Sequence, residues 1–269
     1  MFRLLRIYEA RDDAVLVGFG GRAIVSEGMR VAIFSDIHGN LVALDACLAD
    51  LAAQGGADAI VAAGDLCADG PRPRKVLQRL SEIGAQCVRG NTDRYLAMPG
   101  EERFEGEEAR LAWTRRELGE KWLAWLRDLP FALRIGEAPE ELLVVHANPT
   151  NDDEHLWPDA DDATLERMIG SEAAPVIAFG HLHLPYVRSW RGRLLVNVAS
   201  AGLPKDGDPR ACYALLTLRS GGWQVKHRRV DFDVKRVATQ LSECGIPGSM
   251  RLIATLRRHR YKRLTSIIP

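Results

Sequence analysis

The chain has 269 residues, of which 46% are hydrophobic and 27% charged, and its formal net charge is +0. These values are typical of a globular protein with its own core, in one large or two small domains. The balanced charge argues against polymeric nucleic acid and anionic membranes as partners, and no stretch approaches the roughly 20 apolar residues that span a bilayer. Five scattered cysteines without a CxxC pair indicate reduced thiols in the cytoplasm.

The first 28 residues take no part in the predicted chemistry. The run from Met29 to Phe34 looks like a natural protein start, so residues 1–28 are interpreted as an N-terminal extension whose role is left open. No repeat, low-complexity tract or linker divides the rest of the chain. Residues 29–269 are therefore predicted to form a single domain that includes a basic, helical C-terminal tail.

Short apolar runs alternate with helical patterns in the first two thirds of the chain. Residues 31–35 are predicted to be a buried strand, and Asn40 is suited to cap a helix over residues 41–53. Strand 59–63 completes a βαβ unit, which favours a parallel sheet. The same patterns predict strands at 85–88, 142–145 and 176–179 and helices at 74–83, 105–127 and 162–169. After residue 185, short strands joined by glycine-rich turns predict antiparallel hairpins.

Metal-binding residue types stand where the predicted strands end. They are Asp36, His38, Asp65, Asn91, His146, His181 and His183. Ligands bind in the crevice beyond the carboxyl ends of the strands of an open α/β sheet, so these seven groups are predicted to converge on two divalent cations. Nitrogen and oxygen ligands without a thiolate favour Mn²⁺ as the first choice, with Fe²⁺, Zn²⁺ or Co²⁺ as alternatives.

Such a pair of cations suits the hydrolysis of phosphate esters. Two metal ions ~3.5–4 Å apart neutralise the phosphoryl oxygens and lower the pKa of a bridging water. On formal charges, two dications with Asp36, Asp65 and a bridging hydroxide leave about +1, which suits an anionic phosphodiester.

Several motifs in the chain resemble those of a known family. They are DIHGN at 36–40, GD at 64–65, GNTD at 90–93, His146 at a strand end, and GHLH at 180–183. In order and spacing they resemble the calcineurin-like metallophosphoesterase superfamily, most closely its small bacterial and archaeal phosphodiesterase branch. The resemblance covers roughly residues 29–235. It implies an α/β fold, a four-layer α/β/β/α sandwich with two mixed β-sheets.

The resemblance also implies which residues would hold each metal. One metal would be held by Asp36, His38, Asp65 and His183. The second would be held by Asp65, Asn91, His146 and His181, with Asp65 bridging the two. We expect Asp65, Asn91 and His146 to take part in catalysis.

One position departs from the pattern of the family. Many members carry a histidine directly after the metal-binding asparagine, where it is thought to protonate the leaving group, and this chain has Thr92. A hydroxyl is a poor general acid at neutral pH, so we expect activity to favour diesters or other activated esters. The predicted substrate contacts are Asn40, Thr92, Asp93 and Arg94. For Asn40 a helix cap is the alternative, and for Arg94 a solvated side chain.

The predicted function is that of a dinuclear-metal phosphoesterase that hydrolyses small phosphodiesters through a metal-bridging hydroxide. The alternatives are a phosphomonoesterase of the protein Ser/Thr phosphatase or dinucleoside polyphosphate hydrolase type, and a non-catalytic protein-binding scaffold. An acidic loop over residues 151–162 would disfavour long polyanions, or is a solvated segment that leads into a helix N-terminus. A homo-oligomer is left open.

Overall fold

A computed structural model of the protein describes residues 26–100 and 105–259. Most of the predicted N-terminal extension and the end of the C-terminal tail lie outside these ranges. The described residues form ten strands and eight helices. Among these helices, none combines the length and apolar character needed to cross a membrane.

The elements are named in chain order. The strands are β1 (Arg30–Phe34), β2 (Ala59–Ala63), β3 (Gln86–Val88), β4 (Ala132–Ile135), β5 (Leu142–Val145), β6 (Val176–Phe179), β7 (Tyr186–Trp190), β8 (Arg193–Asn197), β9 (Ala211–Arg219) and β10 (Gly222–Val230). The helices are α1 (Leu41–Ala53), α2 (Pro73–Glu82), α3 (Asn91–Ala97), α4 (Glu105–Leu118), α5 (Glu120–Arg127), α6 (Asp162–Ile169), α7 (Val234–Glu243) and α8 (Ser249–Arg258).

The strands form two mixed sheets of five strands each. The first sheet has the order β10-β9-β1-β2-β3, in which β1, β2 and β3 are parallel and the β9–β10 hairpin is antiparallel to β1. The second sheet has the order β4-β5-β6-β8-β7, in which β5, β6 and β8 are parallel and the two edge strands are antiparallel. The predicted antiparallel hairpins are confirmed. The β7–β8 hairpin belongs to the second sheet and the β9–β10 hairpin to the first.

The two sheets pack face to face, with helices on both outer sides. Because side chains alternate along a strand, Ile33 of β1 and Val144 of β5 lie in the core between the sheets. Phe34 packs on the opposite face of the first sheet, with α1, and Val145 packs on the outer face of the second sheet, with α6. The result is the four-layer α/β/β/α sandwich that the resemblance implied.

Several predicted elements have the bounds that the sequence indicated, including α1, β2, β5, α6 and β6. Asn40 caps α1 as predicted, since its side-chain oxygen accepts a hydrogen bond of 3.1 Å from the Ala43 amide. The continuous helix over 105–127 is wrong. Gly119 has a φ of 70°, which interrupts the helical path and separates α4 from α5. Two short elements, α3 and β4, were not predicted.

Candidate metal centre

The candidate ligands meet at the carboxyl ends of five strands, β1 to β3 of the first sheet and β5 and β6 of the second. They form two buried groups, in each of which one donor atom per residue lies within 4.8 Å of the others. The first group consists of Asp36, His38 and His183. The second group consists of Asp65, His146 and His181.

The two groups adjoin each other. His38 Nε2 of the first group lies 3.8 Å from Asp65 Oδ2 of the second. The side-chain oxygen of Asn91 lies 3.0 Å from His146 Nε2, so Asn91 also reaches the second group. The structure therefore brings all seven candidate ligands together, and Asp65 lies between the two groups, where a bridging ligand would have to be.

Each of the four imidazoles is held by a backbone carbonyl through one ring nitrogen. The contacts are His38 Nδ1 with Ala68 O at 3.1 Å, His146 Nδ1 with Ala63 O at 2.8 Å, His181 Nε2 with Asp153 O at 2.8 Å, and His183 Nδ1 with Leu203 O at 2.5 Å. A carbonyl can only accept a hydrogen bond, so the nitrogen facing it carries the proton of the neutral ring. The other nitrogen of each ring then presents a lone pair to the site.

These lone pairs face one another at short range. His38 Nε2 is 3.3 Å from His183 Nε2, and His146 Nε2 is 3.2 Å from His181 Nδ1. Two acceptors at such a distance repel each other unless a cation or a proton lies between them. In addition, Asp36 Oδ1 is buried and has no hydrogen-bond partner among the described residues, which is costly for a buried acceptor. A divalent cation in each group would satisfy all these atoms, so the residues fit a pair of cations.

The charges in the first group favour cation binding. Burial raises the pKa of the Asp36 carboxyl, but His183, His146 and His38 outweigh burial and hold that pKa well below its usual value. Burial, assisted by the nearby positive charge of Lys205, lowers the pKa of His183 to about 4. At neutral pH the group therefore contains a carboxylate and an uncharged His183, which are the protonation states that bind metal.

The pKa values of the two imidazoles in the second group are shifted in opposite directions. Burial, followed by the charge of His146, lowers the pKa of His181 to about 2. Burial also lowers the pKa of His146, but Asp65 and Asp36 outweigh it, and the net pKa is raised. The carboxylates that raise the pKa of His146 would equally favour a cation in this group.

The backbone at the site is unusual, because five of the seven candidate ligands have a left-handed conformation. Their φ angles are 51° at Asp36, 47° at His38, 52° at Asp65, 60° at His181 and 56° at His183. Such angles cost about 1–3 kcal/mol each in residues other than glycine and persist only where the surroundings impose them. Clustered backbone strain of this kind is typical of functional sites.

Close contacts between the two sheets hold the ligands in place. A Cβ on Gly180, which follows β6, would lie 1.9 Å from Ser35 Oγ and 2.4 Å from Asp36 Oδ2, so only glycine fits there. The amide of His181 donates a 2.8 Å hydrogen bond to the same Asp36 oxygen. Ser200, between β8 and β9, donates its hydroxyl proton to the Asp36 carbonyl at 2.8 Å. The second sheet thus positions a ligand of the first.

A family model of the calcineurin-like phosphoesterase superfamily domain matches residues 29–221, which is most of the chain. The chain belongs to this superfamily. Among the described residues, the two buried groups of aspartate and histidine are the groups that could hold the divalent metals this family implies. As a member of the calcineurin-like phosphoesterase superfamily, the protein is a metal-dependent phosphoesterase.

Individual relatives agree with this assignment. A metallophosphoesterase of known structure from Sphaerobacter thermophilus shares 28% sequence identity, with a TM-score of 0.71, and covers 87% of this chain and 100% of its own. The phosphodiesterase YfcE of Escherichia coli is 29% identical over 199 residues, which are 70% of this chain and 87% of that protein. The uncharacterized protein MJ0912 of Methanocaldococcus jannaschii is 27% identical over 81% of this chain and 93% of its own length.

Two of the predicted substrate contacts support Asp65 and its neighbours. Thr92 donates from its amide and its hydroxyl to Asp65 Oδ1, at 2.9 and 2.8 Å. Asp93 is fully buried, and its two oxygens accept hydrogen bonds from the amides of Leu66 and Gly90. Burial and the charge of Asp65 raise the pKa of Asp93 to about 7. Its hydrogen bonds give Asp93 a structural role, and direct contact of Asp93 with the substrate stays a prediction.

The other two predicted contacts also have structural partners. The Asn40 side chain caps α1 and donates a 2.8 Å hydrogen bond to the Gly202 carbonyl. Arg94 forms ion pairs with Asp152 and Asp153, which belong to the acidic loop. Arg94 is thus paired with carboxylates instead of being solvated. Its positive charge neutralises part of the negative charge of the loop. Direct substrate contact by Asn40, Thr92 or Arg94 stays a prediction.

The structure places three further side chains at the site that the sequence analysis did not select. The ring centroid of His155 lies 4.1 Å from that of the candidate ligand His181, and Trp157 stacks on His155 at 5.7 Å and 15°. Lys205 is linked to the first group, since its amide donates to the His183 carbonyl at 3.4 Å. Burial lowers the pKa of Lys205, while Asp36 and other nearby carboxylates oppose this. The sequence signal was the pair His155 and Trp157, nine and eleven residues beyond His146.

Proposed function

We propose that the protein hydrolyses small phosphodiesters with a pair of divalent cations, Mn²⁺ in the first place and Fe²⁺, Zn²⁺ or Co²⁺ as alternatives. The observation that carries this proposal is the arrangement of the four imidazoles. Their unprotonated nitrogens face one another in two pairs, at 3.3 and 3.2 Å, beside two carboxylates. Only positively charged occupants relieve that arrangement, and divalent cations match its donor atoms.

The residues of the chain set the charge that a substrate would meet. Divalent cations, when bound, supply Lewis acidity and make hydroxide available near neutral pH. Asp36 and Asp65 contribute two negative charges, and the histidines and Asn91 contribute donor atoms without further charge. Thr92 holds Asp65 in one orientation through two hydrogen bonds. The centre would therefore keep a net positive charge, which favours binding of a phosphodiester anion.

The contacts of Thr92 favour diesters over monoesters. Its hydroxyl proton is donated to Asp65 Oδ1, so this residue cannot pass a proton to a departing alkoxide. Diesters with good leaving groups need little such help. The likeness to an enzyme named phosphodiesterase supports the same preference. We propose Asn91 and His146 as catalytic residues beside Asp65. The phosphomonoesterase remains the alternative, and the retention of all seven candidate ligands disfavours a non-catalytic scaffold.

The test compares two chromogenic esters. We expect Mn²⁺-loaded protein to hydrolyse bis-p-nitrophenyl phosphate with a higher kcat/KM than p-nitrophenyl phosphate. Asp65→Asn should lower the diester rate by at least about 10²–10³-fold, as expected when one charge-stabilising group is lost. Asp45→Asn, the same substitution at a half-exposed residue of α1, is the matched control and should keep full activity.

A preference for the monoester would select the alternative function. Diester hydrolysis that survives both metal removal and Asp65→Asn would contradict the proposed centre altogether.

We further propose that the protein acts in the cytoplasm on small phosphoesters, without polymeric nucleic acid or membrane partners. All five cysteines are free thiols, which supports a reducing compartment.

A further inference from the structure

Four aromatic rings form a continuous row that leads outward from the second group of candidate ligands. The centroids of His146 and His181 are 4.9 Å apart, and those of His181 and His155 are 4.1 Å apart. Trp157 follows at 5.7 Å from His155, with the two rings nearly parallel. The first two rings are candidate ligands. The last two rings belong to neither group of candidate ligands, and their spacing is typical of aromatic pairs.

The loop that carries the outer two rings is held firmly next to the metal centre. The carbonyl of Asp153 accepts the hydrogen bond of His181 Nε2 at 2.8 Å. The side chain of Asn148 accepts hydrogen bonds from the amides of Thr150 and Asn151 and donates one to the carbonyl of Glu154. His155 therefore directly follows a segment that is held by internal hydrogen bonds and by one hydrogen bond to the candidate ligand His181.

The outer rings are supported by apolar side chains and remain half-buried. Trp157 packs, together with Tyr186, against the buried side chains of Leu182 and Leu184. His155 and Trp157 are both only half-buried, so each residue keeps part of its surface exposed. A rigid, partly exposed aromatic surface beside an anion-binding centre can stack a planar ring at small entropic cost.

We propose that His155 and Trp157 form an aromatic subsite that stacks a planar ring of the substrate, either a nucleobase or a simple aryl group, while its phosphate lies at the metal centre. This inference rests on the proposed function and narrows the substrates to nucleoside or aryl phosphodiesters. The order of the rings matches this arrangement, since His155 adjoins the candidate ligand His181 and Trp157 lies beyond His155. A base stacked on an aromatic side chain typically binds about tenfold tighter than without it.

The test uses non-hydrolysable probes, so that binding is measured apart from turnover. Isothermal titration of Mn²⁺-loaded protein should show that phenylphosphonate binds about tenfold more tightly than methylphosphonate. Trp157→Leu should reduce this preference to near unity and leave the affinity for methylphosphonate unchanged. Trp157→Phe should retain most of the preference, because it keeps a planar ring. Trp122→Leu, at another half-buried tryptophan on α5, is the matched control.

A third probe distinguishes the two sources of the ring. Tighter binding of the non-hydrolysable phosphonate analogue of adenosine 5′-monophosphate than of phenylphosphonate would support the subsite and assign it to a nucleobase. Weaker binding of the nucleotide analogue, with the preference for phenylphosphonate intact, would support the subsite and assign it to an aryl group.

Equal affinities of the wild-type protein for phenylphosphonate and methylphosphonate would overturn the inference, as would a Trp157→Leu protein that loses both probes equally. If bis-p-nitrophenyl phosphate is still hydrolysed in Mn²⁺, only the aromatic subsite has failed. If the wild-type protein neither binds methylphosphonate nor hydrolyses the diester, the proposed function itself has failed.

Discussion

The two sheets contribute different chemistry to the same site. The first sheet supplies all the oxygen donors and one imidazole, from Asp36, Asp65, Asn91 and His38. The second sheet supplies imidazoles alone, from His146, His181 and His183. Each group of candidate ligands draws on both sheets, so negative charge comes from one side and neutral nitrogen from the other. Neither sheet alone supplies all the donors of either group.

With this division, bound metal ions would act as cross-links between the two sheets. Near the site the two sheets already approach closely, because Gly180 of the second sheet leaves no space for a Cβ against Ser35 and Asp36 of the first. Bound ions would add donor–metal bonds across the same boundary. The difference between the sheets can therefore be tested through stability as well as through activity.

The largest effect is expected on metal removal. An ion at 100 times its Kd stabilises the folded state by about 2.7 kcal/mol, so two sites should raise Tm by at least about 10 °C. Chelation should abolish this gain in differential scanning calorimetry. His183→Asn and Asp36→Asn, one from each sheet, should both lose much of it. If only one of these variants loses the gain, the ions do not link the sheets.

A second test concerns the close approach of the sheets themselves. We expect Gly180→Ala to destabilise the protein by about 3 kcal/mol, because its Cβ would force Ser35 and Asp36 to move. Urea denaturation would measure this loss. Gly221→Ala, in the β9–β10 turn where a Cβ would meet nothing within 4 Å, is the control. A variant at Gly180 with wild-type stability would show that the contact between the sheets is loose.

The third prediction uses pH to separate neutral nitrogen from charged oxygen. The pKa of His183 falls from 6.5 to about 4 on folding. Between these two pH values, His183 is protonated in the unfolded chain but not in the folded protein. Stability of the metal-free protein from this source is therefore full above pH 6.5 and is lost as pH falls toward 4, by about 3 kcal/mol. His183→Asn should show a shallower pH dependence in urea titrations. An unchanged pH dependence would show that His183 is not held uncharged.

The smallest effect is expected at Thr92, whose hydroxyl serves an oxygen donor of the first sheet. Thr92→Val removes one of the two hydrogen bonds to Asp65 Oδ1 and should lower diester hydrolysis about tenfold, as other losses around metal ligands do. Thr217→Val, on β9, is the control for the same change of side chain. A larger loss than for Asp65→Asn would indicate that Thr92 contacts the substrate directly.

The strands that carry the ligands were predictable because their pattern is local. Strands such as β2, β5 and β6 are short apolar runs followed within two residues by a polar candidate ligand, and burial between two layers favours this composition. The capping role of Asn40 was predictable for the same reason, since a cap depends on its neighbours in the chain. The resemblance to the family then implied how the strands are arranged in sheets.

Other features depend on contacts between distant residues and leave little trace in the sequence. The roles of Asp93 and Arg94 are set by partners from other segments, among them Leu66 and Asp152. The position of His155 depends on contacts such as the hydrogen bond between the Asp153 carbonyl and His181. Strand β4 was not predicted because most of its residues are only half-buried, and its apolar pattern is therefore weak.

The separation in sequence between the candidate ligands has a consequence for biosynthesis. Asp36 and its hydrogen-bonded partner His181 are 145 positions apart. At a translation rate of about 5–20 residues per second, the early aspartate waits on the order of ten seconds for its histidine to be made. The donors of the first sheet are therefore made first, and any ion captured on the ribosome must be held by these donors until the three imidazoles of the second sheet have been synthesised.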